Sequence, residues 1–426
     1  GIRGVERSRG LGDVYKRQLL EALAQVDPER PTVLIFLTDG LPTEGVTEIE
    51  QILANVEAAA PANVRLFPFG VGDDVNTVLL DTLAEQHRGA TGYVRPQERI
   101  DEKVSAFYAR IRTPVLTDVE LDFGDVLVED TYPHPLPDLF AGAQLILVGR
   151  YRDGGATRIV LTGEVNGERR EFVYEGVFRA AGGEAFIPRL WATRKIGHLL
   201  TQIRLHGERK EWVDAIVALS VRYGIITPYT SFLIEEDDIL TAQGQEEAVE
   251  KFMATPAPAP YGAPAAEAAA EQAEMREAEA FDRGAMPEEA AQVVRHVGNK
   301  TFVLQDGVWT DTTFDPSHMS TTKIGFGTQS YFDLLAARSE WGDYLALGPR
   351  VIFVVQGTAY QVMEGAGDVV EAPPTPTPEP ARPTDTPFPA AETPVPGRSG
   401  GGCSGAMVMG LVALVAVALW PRMRGS

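Results

Sequence analysis

The sequence predicts an α/β protein, with part of an open, mostly parallel sheet. A β-rich module with a helical hairpin, a small α+β module and a C-terminal transmembrane helix follow it. Three observations predict this. Apolar runs that do not alternate are interleaved with helical spacing over residues 19–112. From Pro114 the pattern changes to period two. Near the C-terminus a proline-dense stretch precedes an unbroken apolar run.

Residues 1–18, "GIRGVERSRGLGDVYKRQ", are basic and glycine-rich in a chain that is otherwise acidic. Their end resembles translated sequencing-adapter read-through, the alternative being a short, disordered native arm, and on either reading they stand outside the fold. "LLEALAQVD" then places Leu19, Leu20, Leu23 and Val26 on one helical face, and Pro28 and Pro31 end it. "TVLIFLTDG" has no alternation and predicts a strand buried on both faces. "VTEIEQILANVEAAA" returns to helical spacing, "VRLFPFGVG" is a second buried strand, and "NTVLLDTLAEQHRG" is a helix. "TGYVRP" is a short strand and "IDEKVSAFYARI" a closing helix. Strand and helix alternate as in an open parallel sheet.

Residues 113–240 read as a second module. "TDVELDF" and "TRIVLTGEV" alternate in period two to about Phe178, with turns at "RDGG" and "VNGE". A helical pair follows in "PRLWATRKIGHLLTQIRLHG" and "KEWVDAIVALSVRYG", the second closed by a glycine where a C-cap belongs. "IITPYTSFLIEE" resumes as an extended strand. Residues 241–292, rich in Ala, Pro and Glu, read as a linker with helical character in "AEAAAEQAEMREAEAF". Residues 293–364 read as a small α+β module, with strands in "KTFVLQDGVW" and "RVIFVVQGTAYQV" around a helix near "SYFDLLAARS".

Within residues 365–402 the stretch "EAPPTPTPEPARPTDTPFPAAETPVPG" supplies a proline every two or three residues and predicts a stiff polyproline stalk. In residues 403–426 the apolar run from Ala406 to Trp420 covers roughly 22 Å as a helix, against a hydrocarbon core of roughly 30 Å. Counting from Ser404 to Pro421 brings it closer, with Trp420, Arg422 and Arg424 suited to the interface. The segment is expected to anchor the chain in a membrane, with the bulk of the protein outside the cell. Cys403 just before it stands either as a plain thiol or as a processed, lipidated cysteine of a sorting tail.

Composition narrows the partners. Acidic residues outnumber basic ones by 60 to 38, a net charge of −22, which repels phosphate backbones and speaks against nucleic acid. One cysteine excludes an intrachain disulfide and a thiolate metal cluster. The six histidines, His87, His134, His198, His206, His296 and His318, show no i, i+4 pair and read as surface or structural residues. The acid run Glu235–Asp238 lacks the glycine and spacing of a calcium loop and reads as a solvated strand end. Asn299 opens an Asn-Lys-Thr acceptor pattern. Phosphate loops, nucleophile elbows and zinc-protease helices are not found, so no enzymatic activity is expected.

The chemistry concentrates at Asp39. In an open parallel sheet, ligands gather at the carboxyl ends of the strands, and Asp39 leaves its strand there, with the Thr38 hydroxyl beside it and Gly40 to turn the chain. Such a carboxylate suits a hard cation such as Mg²⁺. Thr43 and Glu44 stand where they could cap the next helix or approach a ligand.

"FLTDG", "PTEG", the helix after them and "RLFPFGVG" resemble the later half of a von Willebrand factor type A domain. "RLWATRKIGHLL", "VDAIVALSVRYGIITPYTSFLIEE" and the β-module between resemble the region after that domain in inter-alpha-trypsin inhibitor heavy chains and their bacterial relatives, over about residues 19–236. The resemblance implies that Asp39 belongs to a metal-ion-dependent adhesion site, directly or through water. In such a site Mg²⁺ completes its shell with an acidic side chain of a protein partner. That pattern also includes an Asp-x-Ser-x-Ser loop and a middle-loop threonine, and neither stands upstream of Asp39 here. The expectation is a bacterial cell-surface protein that binds or adheres to protein through metal, with the site incomplete in this chain. A structural or envelope-maintenance scaffold is the alternative.

Overall fold

β2 (Val64–Val71) anchors the first sheet, with every residue but the last buried. It pairs in parallel with β1 (Thr32–Thr38) on one side and β3 (Gly92–Val94) on the other, Thr38 lying opposite Gly70 and Val71 opposite Val94. The computed structural model describes residues 14–28, 30–42, 46–111, 114–165, 167–180, 183–227, 239–255, 259–279, 292–365 and 416–421. The chain divides into two compact units, Gly1–Met319 with Leu414–Ser426, and Ser320–Ala413.

α1 (Val14–Leu23), α2 (Ile49–Ala59), α3 (Thr77–Gln86) and α4 (Ile100–Ile111) complete the α/β part. Apolar residues three and four apart put Leu19, Leu23, Ile52, Val56, Leu79 and Leu83 into one core with Phe36 and Leu66. Phe107 of α4 meets Phe67 and Phe69 edge to face, at 5.3 and 4.7 Å. α1 starts before Leu19, so the end of the basic N-terminal stretch is helical. β1 departs from the expectation of full burial: Phe36 is buried, but Leu37 is 45% exposed. The cause is position, because β1 is an edge strand with a described neighbour on one side only.

The β-module comprises β4 (Pro114–Asp122), β5 (Leu127–Tyr132), β6 (Leu139–Phe140), β7 (Ile146–Arg152), β8 (Gly155–Val165) and β9 (Glu168–Phe178). They form a sheet in the order β6-β4-β8-β9, and β7 pairs antiparallel with β5. β8 and β9 form a long regular hairpin.

α5 (Ile187–His206) and α6 (Lys210–Tyr223) form the helical pair. Gly224 ends it in the left-handed region at φ 60°, its amide donating to the Ser220 carbonyl. Two helices are described within the segment expected as a linker with helical character. α7 (Ala242–Ala254) buries Ala248, Val249 and Phe252 in the core of α5 and α6. α8 (Ala263–Glu277) buries Ala265, Ala266 and Ala269. An alanine-rich face looks like a linker in composition, yet small side chains let helices approach closely. At Gly197 of α5 an added Cβ would lie 2.7 Å from the Met275 Cβ, 3.0 Å from the Arg276 amide and 3.1 Å from the Gln272 carbonyl.

β10 (Val294–Val297), β11 (Lys300–Gln305) and β12 (Val308–Asp311) make an antiparallel meander in the first unit. In the second unit, β13 (Thr321–Gly325) pairs in parallel with β15 (Thr358–Met363), which pairs antiparallel with β14 (Val351–Val355). α9 (Gln329–Ala337) and the short α10 (Gly342–Leu345) accompany them, and Trp341 packs on Phe353 and Tyr360.

The tail differs from the expected helix at one place: β16 (Ala416–Pro421) is extended and pairs in parallel with β7. Parallel pairing beside a hydrogen-bonding edge accepts an apolar run as readily as a helix does, and sequence periodicity does not separate the two. Among the described residues no helix is long and apolar enough to cross a membrane. The expected stalk, the rest of the tail with Cys403, residues 228–238 of the expected strand with their acids, and Thr43 and Glu44 lie outside the described residues.

Gly197→Ala is expected to destabilise the fold by about 1–3 kcal/mol, because two of the atoms met are backbone and cannot rotate away. A lowered urea midpoint with an unchanged slope is the readout.

Candidate functional site

Asp39 stands where the sequence places it, one residue past β1 at the carboxyl edge of the sheet, and it is exposed. Leu37, two residues before it, is exposed as well. The Gly40 amide points at the Thr38 hydroxyl at 3.4 Å. Gly40 itself does not occupy the left-handed region, and a Cβ there would meet open space. Its contribution is a clear approach to Asp39 and not an obligatory turn. At the same edge β2 runs out into Gly72, at φ 80°, then Asp73 and Asp74. Asn76 next caps α3, its side chain accepting from the Leu79 amide at 2.9 Å.

These residues do not make a cation site by themselves. Among the described residues no group of three or more His, Cys, Asp or Glu side chains is placed to hold a metal ion. Mg²⁺ demands near-octahedral oxygen coordination. One exposed carboxylate with a neighbouring hydroxyl leaves that shell unmade.

Behind the rim the sheet is tied to the body by buried charge. Arg65 of β2, its side chain 6% exposed, donates to Asp138 at 2.5 Å, to the Ala62 carbonyl at 2.9 Å and to Asp118 at 3.1 Å. The Asp118 amide donates to Asp138 at 3.0 Å, and Arg88 pairs with Asp118. A guanidinium so surrounded has its charge matched, which is the condition for burying it. A second tie runs from α3. Buried Asp81 pairs with Arg204 of α5 and accepts from the Tyr93 hydroxyl at 2.9 Å, while Arg204 also donates to Gln272 of α8 at 2.9 Å. Burial, and then the Asp81 charge, push the Tyr93 hydroxyl well above its ordinary range, so it remains a donor.

α5 carries further ties that spacing alone does not reveal. Arg194 donates to the carbonyls of Tyr132 at 3.1 Å, Ile146 at 2.6 Å and Ala278 at 2.8 Å. Arg189 donates to those of Gly298 and Lys300, each at 2.9 Å. The Trp191 indole donates to the Asp130 carbonyl at 2.8 Å, and Lys195 pairs with the Asp130 carboxylate at 2.9 Å. Their only sequence signal is a set of basic residues interleaved with the apolar positions of one helix.

Two histidines that read as scattered are brought together: the rings of His134 and His198 lie 6.0 Å apart, and Tyr132 is 5.4 Å from His198. Burial lowers the His198 imidazole to about 4, helped by the positive charge available on His134 and by Arg276 and Lys195, and opposed by Glu85.

Comparisons with known proteins follow this geometry. No family model matches the chain. It is similar to inter-alpha-trypsin inhibitor heavy chain H1 of Bos taurus, 29% identical over 233 residues, covering 51% of this chain and 26% of that protein. Heavy chain H2 of Sus scrofa is 25% identical over 229 residues, covering 50% and 24%. The chain therefore spans about a quarter of the length of the curated relatives it matches. A solved von Willebrand factor type A structure from Catenulispora acidiphila aligns over 62% of this chain and 68% of that one, at 16% identity and a TM-score of 0.33. No geometry is transferred at that level of superposition. The resemblance to inter-alpha-trypsin inhibitor heavy chains drawn from the sequence holds, over about half of this chain.

His198 makes stability depend on pH with a definite sign. Its folded value of about 4 lies below the roughly 6.5 of an exposed histidine, so between those values the unfolded chain binds a proton that the folded chain does not. Its contribution is present in full above about pH 6.5 and is lost as pH falls toward 4, by up to about 3 kcal/mol. Urea midpoints across that range are expected to fall less steeply in His198→Gln.

Proposed function

We propose that the chain is a cell-surface, adhesion-type protein-binding module that engages its partner at the carboxyl rim of the parallel sheet around Asp39. The observation that carries this reading is an exposed carboxylate beside an exposed leucine on a rim that the buried ties of Arg65 and Asp81 hold to the body. Exposed acid and apolar surface on a rigid mount is what binding a protein requires. Similarity to inter-alpha-trypsin inhibitor heavy chains supports it. Under the same proposal the apolar C-terminal segment, when it is not paired on β7, attaches the protein to a membrane through the proline-rich stalk, and the module binds without turning over a substrate.

The part played by metal is a question of sign. A rim carrying Asp39, Asp73 and Asp74 repels an acidic partner group and attracts a basic one, unless a cation intervenes. Mg²⁺ bridging to an acidic partner side chain, as the resemblance implies, would require oxygen ligands beyond those described. The scaffold reading, in which neighbouring proteins are held without metal, is favoured by one specific observation: the rim is braced at two buried charge clusters.

Binding of the full-length protein to cell-surface protein ligands, measured with Mg²⁺ and with chelator, separates the readings. Mg²⁺-dependent binding that falls roughly tenfold or more in Asp39→Ala is expected. Binding indifferent to both chelator and substitution would overturn adhesion at this rim and leave the scaffold.

A further inference from the structure

The long hairpin of the β-module ends the sheet with an open edge. β9 is the last strand in the order β6-β4-β8-β9, and no described strand pairs with its outer side. Its ladder with β8 runs without a register shift from Gly155 opposite Phe178 to Val165 opposite Glu168. Protein edges are usually blunted by proline, by lysine, by a bulge or by shortness. "ERREFVYEGVF", Glu168–Phe178, has no proline and no lysine, and the strand is both long and unbulged. Val173 is 44% exposed and Val177 77% exposed on its outward face.

We infer that β9 pairs antiparallel with β9 of a second copy of this chain, with Phe172 on the two-fold axis, joining two four-stranded sheets into one. The charge pattern selects both the occupant and the register. Residues opposed in an antiparallel pair turn their amides the same way, so in a self-pairing strand only positions of like parity face each other. With the axis on Val173, Glu171 faces Glu175 twice. With the axis on Glu171, that carboxylate faces itself. With the axis on Phe172, Arg169 faces Glu175 twice, Arg170 faces Tyr174 twice, and Glu171 faces Val173. Opposite charges and arginine–aromatic pairs directly across a ladder are favourable, and like charges are not. Arg169 already leans on Glu120 at 3.0 Å and Arg158 on Glu171 at 3.2 Å. Both pairs are exposed and contribute little to the fold, so sharing or releasing them does not hold the edge shut.

The register is tested by cross-linking in the full chain with Cys403→Ser. Directly opposed residues have Cα atoms about 4.5–5.5 Å apart, within the range a disulfide spans. A chain carrying Glu171→Cys mixed with a chain carrying Val173→Cys is expected to form a disulfide-linked dimer under mild oxidation, while either chain alone does not. Glu175→Arg in both chains sets arginine against Arg169 twice and is expected to lower the yield roughly tenfold. Sedimentation of the uncross-linked chain should show dimer growing with concentration. A mixture without cross-links, equal cross-linking in the single-variant samples, or a yield unchanged by Glu175→Arg would each overturn the pairing. Both cysteine substitutions are at surface positions of β9, and a thermal melt matching the parent chain confirms that they fold.

Discussion

The structure depends on arginine side chains buried in one helix, two of them donating to backbone carbonyls of other elements and the third to Asp81 and Gln272. A guanidinium offers several donors in a rigid plane, and α5 directs three of them, Arg189, Arg194 and Arg204, in different directions. Arg194 takes the Tyr132 carbonyl, where the β5–β7 ladder shifts register, the Ile146 carbonyl at the start of β7, and the Ala278 carbonyl at the C-cap of α8. Strand ends and helix ends are where backbone acceptors are left over. One side chain therefore closes two strand ends and one helix end at once. Charge-assisted bonds of this kind contribute about 1.5–3 kcal/mol each, and a buried carbonyl left without a donor costs a comparable amount.

This arrangement explains how a small sheet with an uncovered edge can be held in place. β1 to β3 form a narrow sheet whose stability depends on what packs against its faces. Their faces are closed by α1 to α4, and their lateral position is set by Arg65 with Asp138 and Asp118 on one side and by Asp81 with Arg204 on the other. The second tie reaches α5 itself and the first reaches β4, so the rim at Asp39 is braced in part by a helix distant in sequence. A pre-organised rim loses less entropy on binding than a mobile loop does, which favours a recognition role for it.

Much of this was legible in the residues. "VRLFPFGV" had no alternation because β2 is covered on both faces, and "TRIVLTGEV" alternated because one face of β8 is solvated. Gly224 was readable as a C-cap because only a left-handed residue closes α6 that way. "TVLIFLT" promised the same burial as β2, but the pattern does not tell a central strand from an edge left open. Alanine-rich α8 read as linker because its burial comes from closeness to Gly197 and not from large side chains. The His134–His198 contact and the arginine ties join positions far apart in the chain, and periodicity carries only local information. At the candidate site Asp39 and its exposure followed from the strand end. The bracing behind it did not.

Amide hydrogen exchange in Arg194→Met tests the organising role of α5 most directly, since methionine keeps much of the side-chain volume while removing every donor. If the arginine holds the ends of β5, β7 and α8 together, protection falls in all three at once while the β8–β9 hairpin keeps its own. Loss of protection confined to the turns of α5 next to position 194 would contradict that role.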